Sequence, residues 1–396
     1  MPQSLREFYA LMHSTVPIRR ELTAGALAGE APAPASIEML RSSLDQLEAV
    51  PVESDGRPLT LDGGGTTYVD LGYEIDGLQK DLYLAEEGEV ALRELLSSAN
   101  EWFDEQVRIG LDALSSASID TLLTDRDGTV NNYCGRYASS VQSVYNATYL
   151  SRFARTCVRN AVILTSAPLS DVGLADLAVT PPGDLILAGS KGREYLDRHG
   201  VRRRDAVDAA KQELLDDLNR QLQHVLADPE YAVFGMIGSG LQFKFGQTTI
   251  ARQDIDGSID AGRSAAFADT IADLIAGIDP DGTVLRIEDT GLDLELILTV
   301  DDAAGSSRDF DKGDGVRFLD RELGLGVADG GCLVCGDTAA DVPMLAAVAE
   351  ISPETHAVFV TDDDTLRATV RDVVHDAVFV SRPDTLVALL DALSRS

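Results

Sequence analysis

From Ser118 onward, short uninterrupted apolar runs alternate with helical stretches, and that rhythm leaves few folds open to this chain of 396 residues. The runs are Ile119–Thr124, Ala161–Leu164, Asp184–Gly189, Gly331–Cys335, His356–Val360 and Ala377–Val380. Helical stretches such as Val141–Arg159 and Val342–Val348 separate most of them. Strands without polar alternation are buried on both faces, which predicts a parallel sheet covered by helices, an α/β fold.

The rhythm breaks over residues 201–305. A long helical pattern at Arg204–Leu226 precedes two alternating runs, Glu230–Gly235 and Leu241–Phe245, placed around Gly238-Ser239-Gly240 and read as antiparallel strands. A helix over Ser264–Ile278 leads to a second hairpin, Val284–Glu288 with Leu292–Val300. The expectation is an α+β module inserted between two halves of the parallel domain, 116–200 and 306–396. Residues 1–115 form a mostly helical N-terminal extension. Its apolar stripes lie at Ile37–Leu47 and along one longer stretch, Val90–Leu114. Gly63-Gly64-Gly65, between two strand-like runs, reads as a turn; a phosphate loop would need a following Lys-Ser/Thr and a strand-to-helix setting.

Charge narrows the partners. Asp and Glu total 66 against 33 Lys and Arg, a net charge of −33, and the only lysines are Lys80, Lys191, Lys211, Lys244 and Lys312. Such a chain repels itself in dilute buffer, whereas at molar salt the Debye length falls to about 3 Å. The pattern is that of a halophile's protein. No basic stripe offers itself to nucleic acid or to an anionic membrane. Neither a signal-peptide pattern nor a membrane-length apolar run occurs, so the expected location is the cytoplasm. Cys332 and Cys335 form a C-x-x-C on a strand, where an odd spacing sends the two sulfurs to opposite faces; a metal or redox role is disfavoured. His13, His199, His224, His356 and His375 show no metal-ligand spacing.

The chemistry gathers at strand ends. Asp125-Arg126-Asp127-Gly128-Thr129 directly follows the first apolar run, and functional groups of open parallel sheets collect at such carboxyl ends. One carboxylate can attack phosphorus while the other protonates the leaving oxygen and later activates water. Thr165-Ser166 ends the second run, and either hydroxyl can donate to a phosphate oxygen. Lys312, at the start of a helix, can neutralise charge on a phosphoryl group. Gly336-Asp337-Thr338-Ala339-Ala340-Asp341 ends the Gly331–Cys335 run, and its carboxylates suit a hard, oxygen-seeking cation. In the inserted module Lys244 and Glu295 are the leading candidates for contact with substrate, ahead of Gln242 and Glu288.

This order of motifs resembles the haloacid dehalogenase (HAD) phosphatases, over about residues 118–396. The resemblance implies a Rossmann-like core with an α+β cap, Asp125 as nucleophile, and Asp127 as general acid and base. It also implies phosphate contacts from Thr165 or Ser166 and from Lys312, and Mg2+ held by Asp125, the Asp127 carbonyl, Asp337 and Asp341. Within that superfamily, Ala188-Gly189-Ser190-Lys191-Gly192-Arg193-Glu194, Asp311-Lys312-Gly313 and the Gly336–Asp341 run are most similar to trehalose-6-phosphate phosphatases. Here Lys191 stands for a histidine, Thr338 for an aspartate, and Ser166-Ala167-Pro168 for S-G-R. Gly128 and Lys191 join Lys244 and Glu295 as expected substrate-binding positions. The implied substrate is a small phosphorylated sugar, with trehalose 6-phosphate leading over sucrose phosphate and glycerol-linked sugar phosphates. A catalytically silent phosphosugar sensor and a mutase are the competing readings, and residues 1–115 could dock a synthase.

Overall fold

A computed structural model describes residues 1–53, 56–62, 64–301 and 307–395. Its centre is an eight-stranded sheet in the order Val378–Val380, Glu354–Val360, Gly331–Gly336, Thr121–Thr124, Asn160–Leu164, Ile186–Gly189, Glu194–Leu196, Arg202–Arg204. The first six strands run parallel, and they are the six apolar runs of the sequence. The last two add antiparallel at one edge. Sequence reading did not name that hairpin, because its outer strand is Arg202-Arg203-Arg204, short and exposed.

Alternate residues of the sheet feed two separate cores. Leu122, Ala161, Ile163, Leu333 and Cys335 face one, and Leu123, Val162, Leu164, Cys332 and Val334 face the other. Cys332 and Cys335 therefore lie on opposite faces, both buried and unpaired, as the odd spacing requires. The chain builds outward from Thr121–Thr124 on one side and later returns to place Gly331–Gly336 on the other. Asp125 thus sits at the point where strand order reverses, the usual ligand crevice of such sheets.

A second, four-stranded antiparallel sheet has the order Leu285–Asp289, Asp293–Leu298, Gln247–Ala251, Leu241–Lys244. Helices Ala209–Leu226 and Ala261–Ile278 pack with it around Leu218, Phe234, Phe267 and Ile271. One expectation fails here: Glu230–Gly235 is not a strand. Ala232–Gly235 is a 3-10 turn, because the Asp228 carbonyl collects the amides of Tyr231 and Ala232, and Phe234 turns inward to stack on Phe267 at 3.8 Å. Leu241–Lys244 instead pairs forward with Gln247–Ala251 across Phe245-Gly246, where Gly246 has φ +76°. The expected 305/306 junction lies outside the described residues.

The N-terminal segment comprises helices Leu5–Ala28, Pro34–Glu48, Gly72–Ala99 and Phe103–Leu114, with a small hairpin Arg57–Thr60/Thr66–Val69. Gly64 and Gly65 make its turn with φ of +100° and +97°; Gly63 lies outside the described residues. The single helix expected over Val90–Leu114 is two helices. Asn100 leaves the helical region and its side chain accepts the Trp102 amide at 3.2 Å, an asparagine-made turn. The longer helix is itself interrupted at Gly88, φ +84°.

This bundle shares its core with one face of the large sheet: Leu5, Phe8, Met12 and Leu78 belong to the same cluster as Leu122 and Ile163. Among the described residues, no helix is long and apolar enough to cross a membrane. Within the bundle, Arg19 and Asp81 form a fully buried ion pair (Nε to Oδ2 2.7 Å), and Asp81 Oδ1 accepts the Val144 amide at 2.7 Å, the first residue of helix Val144–Thr156. Removing one partner strands a buried charge. Arg19→Leu should cost about 3–5 kcal/mol in urea unfolding, far more than removal of an exposed pair.

Candidate active site

Register alone brings the catalytic candidates together. Thr124 lies opposite Cys335 on one side and Ile163 on the other. The residues that follow these three strand ends therefore emerge side by side: Asp125, Asp337 and Thr165-Ser166. The helix Lys312–Leu323 starts beside them, capped by Asp311, whose side chain accepts the Asp314 amide while Asp314 returns the favour to the Asp311 amide.

Lys312 is buried and donates to Asp125 Oδ1 at 2.6 Å and to Asp341 Oδ1. Asp341 is fully committed: its Oδ2 accepts the amides of Asp337 and Thr338, each at 3.0 Å, and the Thr338 hydroxyl at 3.1 Å. Asp337 Oδ1 accepts the Thr129 hydroxyl at 2.9 Å. Asp127 does not turn toward this cluster. Its Oδ1 accepts from the buried Arg126 guanidinium and from the Ser140 hydroxyl at 3.1 Å.

Asp125, Asp337 and Asp341 each offer an oxygen within 4.8 Å of the others. Two buried carboxylates, Asp125 and Asp341, share one ammonium, and the half-buried Asp337 stands beside them, so negative charge is left over. Burial pushes Asp125 up to about 7, with Lys312 opposing and Asp341 adding. Asp337 rises to about 8 through burial, Asp125 and Asp341. Asp341 goes the other way: burial works against it, but Lys312 and the two amides hold its carboxyl low. An oxygen-only cluster with surplus negative charge, in which Asp125 and Asp337 are pushed up, fits a hard divalent cation. Asp125 and Asp337 are the open ligands, since Asp341 is occupied by Lys312 and the turn.

Gly128 shows why a glycine follows the two aspartates. It has φ +84°, and a Cβ there would fall 2.1 Å from Asp337 Oδ2. Its contribution is close passage past that carboxylate, and it lies outside the cleft lining.

Above the cluster opens a cavity of about 250 Å3, walled by both sheets. Asp125, Asp127, Lys312, Asp337 and Thr165-Ser166 line one side, and Lys244, Glu295, Gln242 and Ser239 the other. Lys244 Nζ lies 3.7 Å from Glu295 Oε1, which also accepts the Thr249 hydroxyl at 3.1 Å. Thr165 Oγ1 accepts the Ala167 amide, whereas Ser166 has no side-chain partner among the described residues. Lys191 stands beside the cavity and not in its lining. Its backbone is left-handed (φ +59°), and burial lowers its ammonium while nearby Glu295 supports it. Sequence reading missed Tyr133, Tyr137 and Ser140, which complete the wall from the loop after Gly128, and the buried Arg126 behind them. Nothing in their spacing marked them.

The raised carboxylates set a pH dependence. An acid whose folded pKa lies above its ordinary 3.8 stabilises the fold at low pH, and that contribution is lost as pH rises through about 7 and 8. Metal-free protein should therefore melt at lower temperature as pH goes from 6 to 8.5. Mg2+ should reverse the loss, with proton release on binding, and Gly128→Ala should abolish the Mg2+ effect. Differential scanning calorimetry with and without Mg2+ reads all three.

Residues 122–386 match the family described as trehalose-6-phosphate phosphatase, C-terminal, and residues 4–97 match its N-terminal helical bundle domain. The chain is similar to an α,α-trehalose-phosphate synthase (UDP-forming) of Aphelenchoides avenae, 31% identical over 97% of this chain but only 35% of that protein's length. It is 27% identical to a trehalose-phosphatase of Caenorhabditis elegans, over 96% of this chain and 94% of that one. A C. albicans trehalose-6-phosphate phosphatase C-terminal domain superposes with a TM-score of 0.48 and 14% identity, covering 73% of this chain and 96% of that chain. The N-terminal helices and the sheet domain, matched in order along one chain, make this protein a member of the trehalose-6-phosphate phosphatase family.

Proposed function

We propose that the chain hydrolyses trehalose 6-phosphate to trehalose and phosphate, with Mg2+. The observation that carries the reading is the convergence of Asp125, Lys312 and Asp337 beneath a cavity that also presents Asp127, Lys244 and Glu295. An Asp125 carboxylate oxygen attacks phosphorus, and the bond from phosphorus to the sugar oxygen breaks. The proton carried by Asp127 goes to that oxygen. Asp127, now ionised, takes a proton from water; the water oxygen attacks phosphorus and the Asp125–phosphate bond breaks, releasing phosphate. Lys312 and the Ser166 hydroxyl stabilise charge on the phosphoryl oxygens. Asp125 and Asp337, with the Asp127 carbonyl, would hold Mg2+, which supplies further neutralisation of phosphoryl charge when bound.

Lys244 and Glu295, on the smaller sheet, bind sugar hydroxyls in this reading, with Lys191 behind them. Residues 201–305 act in this reading as the cap and 116–200 with 306–396 as the phosphoryl-transfer domain. In the relatives named as synthases the matching region is part of a longer chain, which supports a synthase as partner; the N-terminal bundle would be its docking surface.

The test is phosphate release from a panel of phosphosugars with Mg2+ in molar KCl, where a net charge of −33 is screened. Selective turnover of trehalose 6-phosphate is expected, and Asp125→Asn should remove it by at least about 10³-fold, as for loss of a covalent nucleophile. Turnover of another phosphosugar alone would contradict the substrate, and no release from any, in folded protein, would contradict the reaction.

A further inference from the structure

The loop that leaves the nucleophile strand is largely buried apart from Tyr133, and several of its polar groups are bonded by the N-terminal bundle. Glu74 accepts the Ser139 hydroxyl at 2.6 Å and pairs with Arg136 at 3.4 Å; His13 Nε2 meets the Ala138 carbonyl at 2.7 Å. Tyr73, in the first turn of helix Gly72–Ala99, donates its hydroxyl to the Val141 carbonyl at 3.2 Å. With its proton spent there, the phenol oxygen accepts from Asn131 Nδ2 at 2.9 Å. The same Asn131 amide donates to Ser140 Oγ at 3.2 Å, and Arg126 Nη1 donates to that oxygen at 3.0 Å.

A serine hydroxyl has one proton and two lone pairs. Both lone pairs of Ser140 are filled, by Asn131 and Arg126, so its proton has one direction left. It points at Asp127 Oδ1, 3.1 Å away. Arg126 donates to the same oxygen. Oδ2 takes no hydrogen bond from any described residue, and Asp127 lines the cavity. Two donors pin one oxygen and leave the other for the substrate.

We infer that Tyr73 is a positioning residue for Asp127, acting through Asn131 and Ser140, and that the N-terminal bundle is thereby a working part of the phosphatase site. The inference rests on the role given to Asp127 above. It differs from a tether role for the bundle, which would leave the chemistry indifferent to these helices.

The experiment compares kcat/KM for trehalose 6-phosphate and for p-nitrophenyl phosphate in full-length protein. The constant kcat/KM reports events up to the first phosphoryl transfer, and p-nitrophenolate leaves without needing a proton. Tyr73→Phe keeps the ring packing and removes the hydroxyl. It should lower kcat/KM for the sugar ester about tenfold, chiefly in kcat, and change that for p-nitrophenyl phosphate less than about twofold, as expected of a weakened general acid. Ser140→Ala should do the same, Ser140→Thr should restore most of the loss, and adding Tyr73→Phe to Ser140→Ala should cost little more, because the two act in one chain. Equal losses on both esters, no loss on either, or additive losses in the double variant would overturn the inference while the wild type stays active. Wild-type protein active on neither ester would overturn the phosphatase reading and this inference together.

Discussion

The Lys312 ammonium is the contact on which the site depends. It is the only cation touching Asp125 and Asp341 among the described residues, and it is placed by the first turn of a helix. That helix is itself held by close backbone contact. Gly315, one turn on, lies against the Lys191 carbonyl so tightly that a Cβ would come within 2.1 Å of it. Gly192 meets Gly315 from the other side, where a Cβ would lie 2.7 Å from the Gly315 Cα. The Ala188–Glu194 stretch and the helix that opens with Asp311-Lys312-Gly313 are thus two halves of one joint. It keeps the ammonium within reach of Asp125, and it sets Lys191 behind the cavity, not inside it.

Around that joint the molecule distributes its charges unevenly. Three of the five lysines, Lys191, Lys244 and Lys312, lie in or beside the cleft of a protein with net charge −33. An anionic substrate approaching such a surface meets net repulsion, which these lysines offset locally at the cleft. Salt would shorten the range of that repulsion and leave the buried contacts of the site almost untouched. A strongly acidic surface and a phosphate site are therefore compatible in one molecule.

The parallel sheet was legible because each of its strands contains a continuous apolar run, and the candidate aspartates because they follow such runs. What the sequence concealed has physical causes. Helix Leu5–Ala28 carries Pro17 and buries Thr15, Arg19 and Thr23, so its inner face does not read as an apolar stripe. Ala232–Gly235 alternates like a strand, yet its fate is decided by the Asp228 carbonyl and by Phe267, contacts that no local pattern encodes. Arg126, Tyr133 and Ser140 escaped notice for a similar reason. Their importance comes from a loop folded between the sheet and the N-terminal bundle, and an arginine beside two aspartates looks like an ordinary surface charge until burial is known.

In the proposed reaction Asp125 carries the phosphoryl group during turnover. Acid quenching of the enzyme during reaction with labelled trehalose 6-phosphate, followed by peptide mapping, addresses it most directly. Label is expected on the peptide containing Asp125, stable in acid, released by hydroxylamine, and absent from Asp125→Asn. Phosphate production at the normal rate with no label on that peptide at any quench time would contradict it.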